Sequence, residues 1–136
     1  MENGLGIFII ISLLALWNLD FIATLLNLKA LSPKLPEEFS GVFTEDKYAD
    51  SQHYTRATSQ FDIVQSVFTL ALTLVVWLSG GFGLLDDFVR GLGYGELVTG
   101  LLFMGILFLG QTLLSIPFQV YSTFVIEEKF GFNKTT

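Results

Sequence analysis

Three long apolar runs separated by polar segments organise the chain: residues 5–28, 63–85 and 97–116. Each reaches the roughly 20 residues that an α-helix needs to cross a bilayer. In the first run, Asn18 and Asp20 sit where the apolar core of a signal peptide would end, and Glu2 replaces the basic start such a peptide needs. A retained membrane helix is therefore expected at 5–28. In the second run, Gly80, Gly81 and Gly83 weaken the helix, which should stop near Ser79. The third run ends at Pro117, which has no amide for the carbonyl of Leu113, so a kink or restart is predicted there. Beyond it, residues 118–130 either continue a bent third helix or form a surface helix, with Phe118, Tyr121 and Val125 on its apolar side.

The first polar segment also carries structure signals. Ser32-Pro33 and Leu35-Pro36 mark extended or turn backbone. Thr44 then reads as an N-cap, with Glu45 and Asp46 in the first turn, where the helix dipole favours acids. Nothing breaks a helix from Glu45 until Gly80, so one helix over 45–79 is expected, about 50 Å long. Its second half would cross the membrane and its first half would stand outside it.

Composition narrows the class. The 136 residues are 51% hydrophobic and only 15% charged, against about 25% charged in typical soluble domains, and the mean hydropathy is +0.61. A soluble domain of this size could not hide so much apolar surface, so a soluble globular enzyme is excluded. The net charge of −6 includes no basic run able to neutralise phosphates, which excludes nucleic acid as a partner. The fold class expected is all-α: an integral membrane bundle of three transmembrane helices, the second extended into the cytoplasm, forming a single membrane domain over 1–136. The bases set the orientation. Lys29, Lys34, Lys47 and Arg56 lie in the first loop and Lys129 and Lys134 in the tail, whereas Arg90 alone lies in the second loop. The positive-inside rule then puts the first loop and C-terminus in the cytoplasm and the N-terminus outside.

Polar residues inside the spans fall in rows. Asp20, Thr24 and Asn27 share one face of the first span, and Asp62, Ser66, Thr69 and Thr73 one face of the second. Gln111, Ser115, Gln119 and Ser122 keep the same rhythm on the third, if it stays helical past Pro117. Such rows either let helices pack and hydrogen-bond to one another or line a hydrated interior, the reading favoured by an intramembrane carboxylate such as Asp20.

Catalytic chemistry is missing from these residues. Zinc catalysis needs three protein ligands, and the chain has one histidine, His53, and no cysteine. His53 reads as a helix-surface residue. The pairs Glu37-Glu38, Asp86-Asp87 and Glu127-Glu128 are neighbours in sequence, so they diverge on a helix and read as solvated charge. The glycines of Gly91-Leu-Gly93-Tyr-Gly95 match no dinucleotide fingerprint and mark a tight turn. Asn133-Lys-Thr135 is formally a glycosylation triplet, but a cytoplasmic tail would stay bare. No catalytic, cofactor-binding or metal-ligating residue is assigned.

The run Pro117-Phe-Gln-Val-Tyr121-Ser-Thr-Phe124-Val-Ile-Glu127-Glu-Lys-Phe-Gly131-Phe-Asn133-Lys-Thr135 resembles the N-terminal membrane region of the Ste24-type CaaX prenyl proteases, of the M48 peptidase family. Residues 43–54, with Tyr48 and Tyr54, resemble the segment before that family's second helix. The resemblance implies a parent zinc metalloendopeptidase with seven helices around a hydrated intramembrane chamber, cleaving a prenylated peptide or other peptide substrate on its cytoplasmic side. It also implies an N-terminus outside and a first loop inside, in a bacterial inner membrane or the endoplasmic reticulum. The family's zinc ligands and catalytic glutamate lie downstream of the matching tail, so none has a counterpart here. Zinc is implied for the parent alone, and a fragment is expected rather than a complete protein.

The partners expected are the lipid bilayer and the parent's remaining helices and catalytic domain. Two other readings compete: a complete three-span scaffold that catalyses nothing, and a small transporter subunit using Asp20. The intact mass of the native gene product separates the first two. A mass well above 15.1 kDa, with a His-Glu-x-x-His sequence beyond residue 136, is the expected result; 15.1 kDa sinks the protease reading.

Overall fold

The computed structural model describes residues 4–37, 41, 42 and 44–133. Glu2, Glu38, Phe43, Lys134 and Thr135, which enter the sequence argument, lie outside them. Helix is the main regular structure of the described residues, with no strand among them. In chain order they form α1 (Gly4–Ala30), α2 (Glu45–Leu78), α3 (Gly81–Gly91) and α4 (Glu96–Tyr121), followed by a π-helical stretch, Ser122–Glu127. Three helices are long and apolar enough to cross a membrane: Gly4–Ala30, Glu45–Leu78 and Glu96–Glu127.

Burial shows which solvent this chain is built for. Among the described residues only Val89, Thr99 and Ile126 are buried, while Phe8, Leu16, Leu97 and Phe108 each expose about two-thirds of their surface or more. In water such apolar area would cost about 25 cal/mol per Å². Its natural cover is hydrocarbon, and a helix apolar nearly all round is what lipid or a protein interior accommodates.

The chain divides into two compact units, Met1–Val64 and Gln65–Thr136, with the boundary inside α2. In the first unit α1 stacks Trp17 on Phe21, with ring centroids 5.0 Å apart. The Arg56 guanidinium of α2 donates long hydrogen bonds of 3.5 and 3.4 Å to the carbonyls of Leu28 and Leu31. The Leu28 carbonyl belongs to the last turn of α1 and Leu31 follows it directly, so the cation sits at the negative end of the α1 dipole, where it is favoured. Lys29 adds a second positive charge to the last turn of α1. Thr44 stands at the entry to α2, and its carbonyl accepts from the Tyr48 amide at 3.0 Å.

In the second unit α2 ends at a glycine turn. Gly80 has φ +76°, a left-handed conformation, and its amide donates to the Trp77 carbonyl at 3.2 Å. A Cβ on Gly81 would come within 2.9 Å of Val76 Cγ1 and 3.0 Å of the Val76 carbonyl. The turn thus needs one glycine for conformation and the next for room. α3 follows and packs against α4, burying Val89 completely. This short helix is a correction to the sequence reading, which has only a weakened helix end and a turn between the second and third spans. Its signal was present as Phe82, Leu85 and Val89 at i, i+3, i+7, but the surrounding glycines read as breakers. Arg90 donates to Asp86 one turn earlier at 2.7 Å, and that hydrogen bond raises the Arg90 pKa further.

α4 runs through Pro117 without interruption. The missing amide is absorbed by helix continuation, and the wider π-helical turns begin five residues later at Ser122. So residues beyond Pro117 continue the third helix. The end of this helix explains part of the Glu127–Asn133 motif. Gly131 takes φ +71°; its amide donates to the Glu128 carbonyl at 3.1 Å, and the Phe132 amide to the Glu127 carbonyl at 2.9 Å. This pair of bonds is a Schellman cap. Asn133 adds a side-chain bond to the Glu128 carboxylate at 3.0 Å.

Alanine at Gly80 or Gly131 is expected to destabilise the chain by about 1–2 kcal/mol, because a Cβ is strained in the left-handed region. Gly83→Ala is the control, since Gly83 lies inside α3 with nothing within 4 Å of its Cβ position. It should be neutral or stabilising by up to about 1 kcal/mol. Unfolding in detergent micelles, followed by circular dichroism, checks both.

Candidate functional site

The second unit contains a groove of about 510 Å³ between the C-terminal half of α2 and the middle of α4. Phe68 and Phe118 close one end, with ring centroids 5.2 Å apart and planes tilted by 47°. Phe82, just past the glycine turn, borders the other end, edge-on to Trp77 at 5.8 Å. Leu72, Val76 and Leu114 supply apolar wall. Gly110 lines the groove, and a Cβ there would meet nothing within 4 Å.

Four of the polar residues picked out by spacing converge on this groove: Thr69 and Thr73 from α2, Gln111 and Ser115 from α4. Gln65, which sequence reasoning missed, joins them. Its signal was the i, i+4, i+8 row Gln65, Thr69, Thr73 on α2. Ser66, Gln119 and Ser122 do not line the groove. Asp20, Thr24, Asn27 and Asp62 belong to the first unit, with Thr24 half-buried and the others exposed.

The hydroxyls are largely turned back on their own helices. Thr73 donates to the Thr69 carbonyl at 2.8 Å. On α4, Thr112 donates to the Phe108 carbonyl and Ser115 to the Thr112 carbonyl, each at 2.8 Å. Gln119 in turn donates its amide to Ser115 Oγ at 2.8 Å. Such bonds satisfy a hydroxyl in an apolar medium and still leave its oxygen able to accept. The two glutamines, Gln65 and Gln111, bring the groove its carboxamides.

No ionisable side chain lines the groove. It can hydrogen-bond to a guest or to water, and it can accommodate an apolar chain, but it offers no acid, base or nucleophile matched to neutral pH. Among the described residues no group of three or more His, Asp or Glu is placed to hold a metal ion. With one histidine and no cysteine, the donor set of this chain does not fit a zinc site.

A family model described as the CAAX prenyl protease N-terminal region, with five membrane helices, matches residues 24–136. The probable CAAX prenyl protease 1 of Schizosaccharomyces pombe is 35% identical over 119 residues, covering 78% of this chain and 25% of that protein. CAAX prenyl protease 1 of Saccharomyces cerevisiae is 34% identical over 119 residues, covering 79% of this chain and 26% of its own. The human CAAX prenyl protease 1 homolog is 28% identical over 109 residues, with 75% and 23% covered. The chain spans about a quarter of the length of these curated relatives. Among solved structures, the crystal structure of S. mikatae Ste24p matches with a TM-score of 0.81 at 27% identity, covering 96% of this chain and 32% of that one. In sequence and in fold, then, this chain belongs to the CAAX prenyl protease N-terminal family and corresponds to the membrane region with which those proteases begin.

Proposed function

We propose that this chain builds part of the wall of an intramembrane chamber in a zinc metalloendopeptidase that processes CaaX-type prenylated peptides. The observation that carries the reading is the family match over residues 24–136, joined by the likeness to Ste24p along 96% of the chain. The groove between α2 and α4 supports it, because its threonine, serine and glutamine side chains form a polar strip within apolar wall. A chamber must hold both a peptide and an isoprenoid, and such a surface suits that mixed guest. Asp20, Thr24, Asn27, Asp62, Ser66, Gln119 and Ser122 extend the proposed lining or pack against the parent's other helices.

Zinc and the general base are assigned to the parent's catalytic domain, and no step of the reaction is assigned to this chain. The proposed topology has the N-terminus outside and the first loop and tail in the cytoplasm, on the strength of the uneven bases. It carries the first half of α2, with Tyr48 and Tyr54, into the cytoplasm beside the active site.

Sidedness is tested with single cysteines and an impermeant maleimide in sealed membranes of known orientation. Lys34→Cys is expected to react only from the cytoplasmic side and Asp87→Cys only from the other; the reverse pattern overturns the topology. The chamber role is tested by Gln111→Leu in the full-length protease. Loss of one groove hydrogen bond, about 1 kcal/mol, should lower kcat/KM for a prenylated peptide about fivefold while zinc content stays unchanged. Unchanged kinetics would remove Gln111 from the lining.

A further inference from the structure

α3 has 11 residues, which as a helix extend about 16 Å, roughly half the thickness of a bilayer's hydrocarbon. It cannot cross. It is joined to candidate spans at both ends, to α2 by the Gly80 turn and to α4 by residues 92–95. It is also held against α4 by the fully buried Val89. At the start of α4, Thr99 is buried and its hydroxyl donates to the Tyr94 carbonyl at 3.2 Å, tying in the connecting turn. α3 is therefore fixed at the membrane level where α2 ends and α4 begins.

Around α3, at 100° per residue, the side chains divide into three sectors. Phe82, Leu85 and Val89 lie on the packed side. Leu84, Phe88 and Leu92 form a second apolar row at i, i+4, i+8, exposed to 69%, 61% and 48%. Asp86, Asp87 and Arg90 occupy the remaining arc. The row is exposed among the described residues, as are Val75 and Leu78 near the end of α2 and Leu97 and Leu101 at the start of α4. Exposed apolar side chains thus occur on the adjoining ends of both candidate spans and on α3 between them.

We propose that α3 is an interfacial helix, with Leu84, Phe88 and Leu92 sunk into the acyl boundary of one leaflet and Asp86, Asp87 and Arg90 in the headgroup layer. An amphipathic helix of this length binds through buried apolar area, charge attraction to anionic lipid, or both. Here three acids, Asp86, Asp87 and Glu96, face one base, Arg90, which is already paired to Asp86 at 2.7 Å. The local charge is negative, so the anchor is apolar and requires no anionic lipid. The occupant of this face is the zwitterionic bilayer itself.

The chain has no cysteine, so single nitroxide labels report depth without background. Leu84→Cys, Phe88→Cys, Asp87→Cys and Val89→Cys are labelled in the 136-residue chain reconstituted in phosphatidylcholine vesicles. Collision rates are measured with oxygen, which concentrates in lipid, and with an aqueous nickel chelate. Circular dichroism confirms the helix content of each variant first. The ratio of oxygen to nickel collisions is expected to be about threefold or more higher at 84 and 88 than at 87, with position 89 low in both. Adding phosphatidylserine or salt should leave the ratios unchanged. Equal ratios at 84, 87 and 88 place the row in water and overturn the proposal. Low collisions with both probes at 84 and 88 mean that protein covers the face, and overturn it equally. Deeper insertion with phosphatidylserine overturns the apolar anchor.

Discussion

In hydrocarbon a backbone amide or carbonyl without a partner costs several kcal/mol, and the three candidate spans answer that constraint. The helices satisfy themselves internally. Where they end, the last carbonyls need donors, and the left-handed glycines Gly80, Gly93 and Gly131 each fold their own amide back to supply one, joined at Gly131 by the amide of Phe132. At the end of α1 there is no such glycine; the Leu31 amide donates to the Asn27 carbonyl, and the guanidinium of Arg56 from α2 reaches the carbonyls of Leu28 and Leu31. The same demand explains why the serine and threonine hydroxyls of α2 and α4 bond to carbonyls one turn earlier. Thr73, Thr112 and Ser115 are thus satisfied within their own helices.

That changes how the groove should be understood. Its polar groups do not reach for one another across the gap between α2 and α4, which meet through the rings of Phe68 and Phe118. Aromatic contact closes the space at one end, and Gly110 lines it without a side chain. A wall of this kind gives a guest weak, distributed hydrogen bonding without fixing one register, which suits a compartment more than a specific pocket.

The three spans were legible because about 20 consecutive apolar residues leave little alternative, and α2 because Thr44, Glu45 and Asp46 mark its start. The convergence of Thr69, Thr73, Gln111 and Ser115 was half legible. Helical period gives the face, but it does not say which stretch of that face meets a partner, so Gln65 was missed while Gln119 and Ser122 were included. α3 was hidden by its glycines. Two of them, Gly80 and Gly93, are helix boundaries, and a density of breakers looks the same whether it dissolves a helix or brackets one. Pro117 left continuation and a surface helix open, and the structure takes the first, with the helix running on through the proline.

The π-helical stretch after Pro117 has a consequence for how this family's tail can vary. A π turn is equivalent to one residue inserted into an α-helix, and one residue rotates everything beyond it by about 100°. Ile126, buried in this stretch, and the Glu128–Asn133 cap are therefore aimed by the extra residue as much as by their own identities. Substitutions along residues 122–127 leave that aim intact, whereas a single deletion would swing the whole motif by more than a quarter turn. The length of this segment is thus a stricter constraint than its composition, and insertions or deletions should be rarer there than changes of side chain.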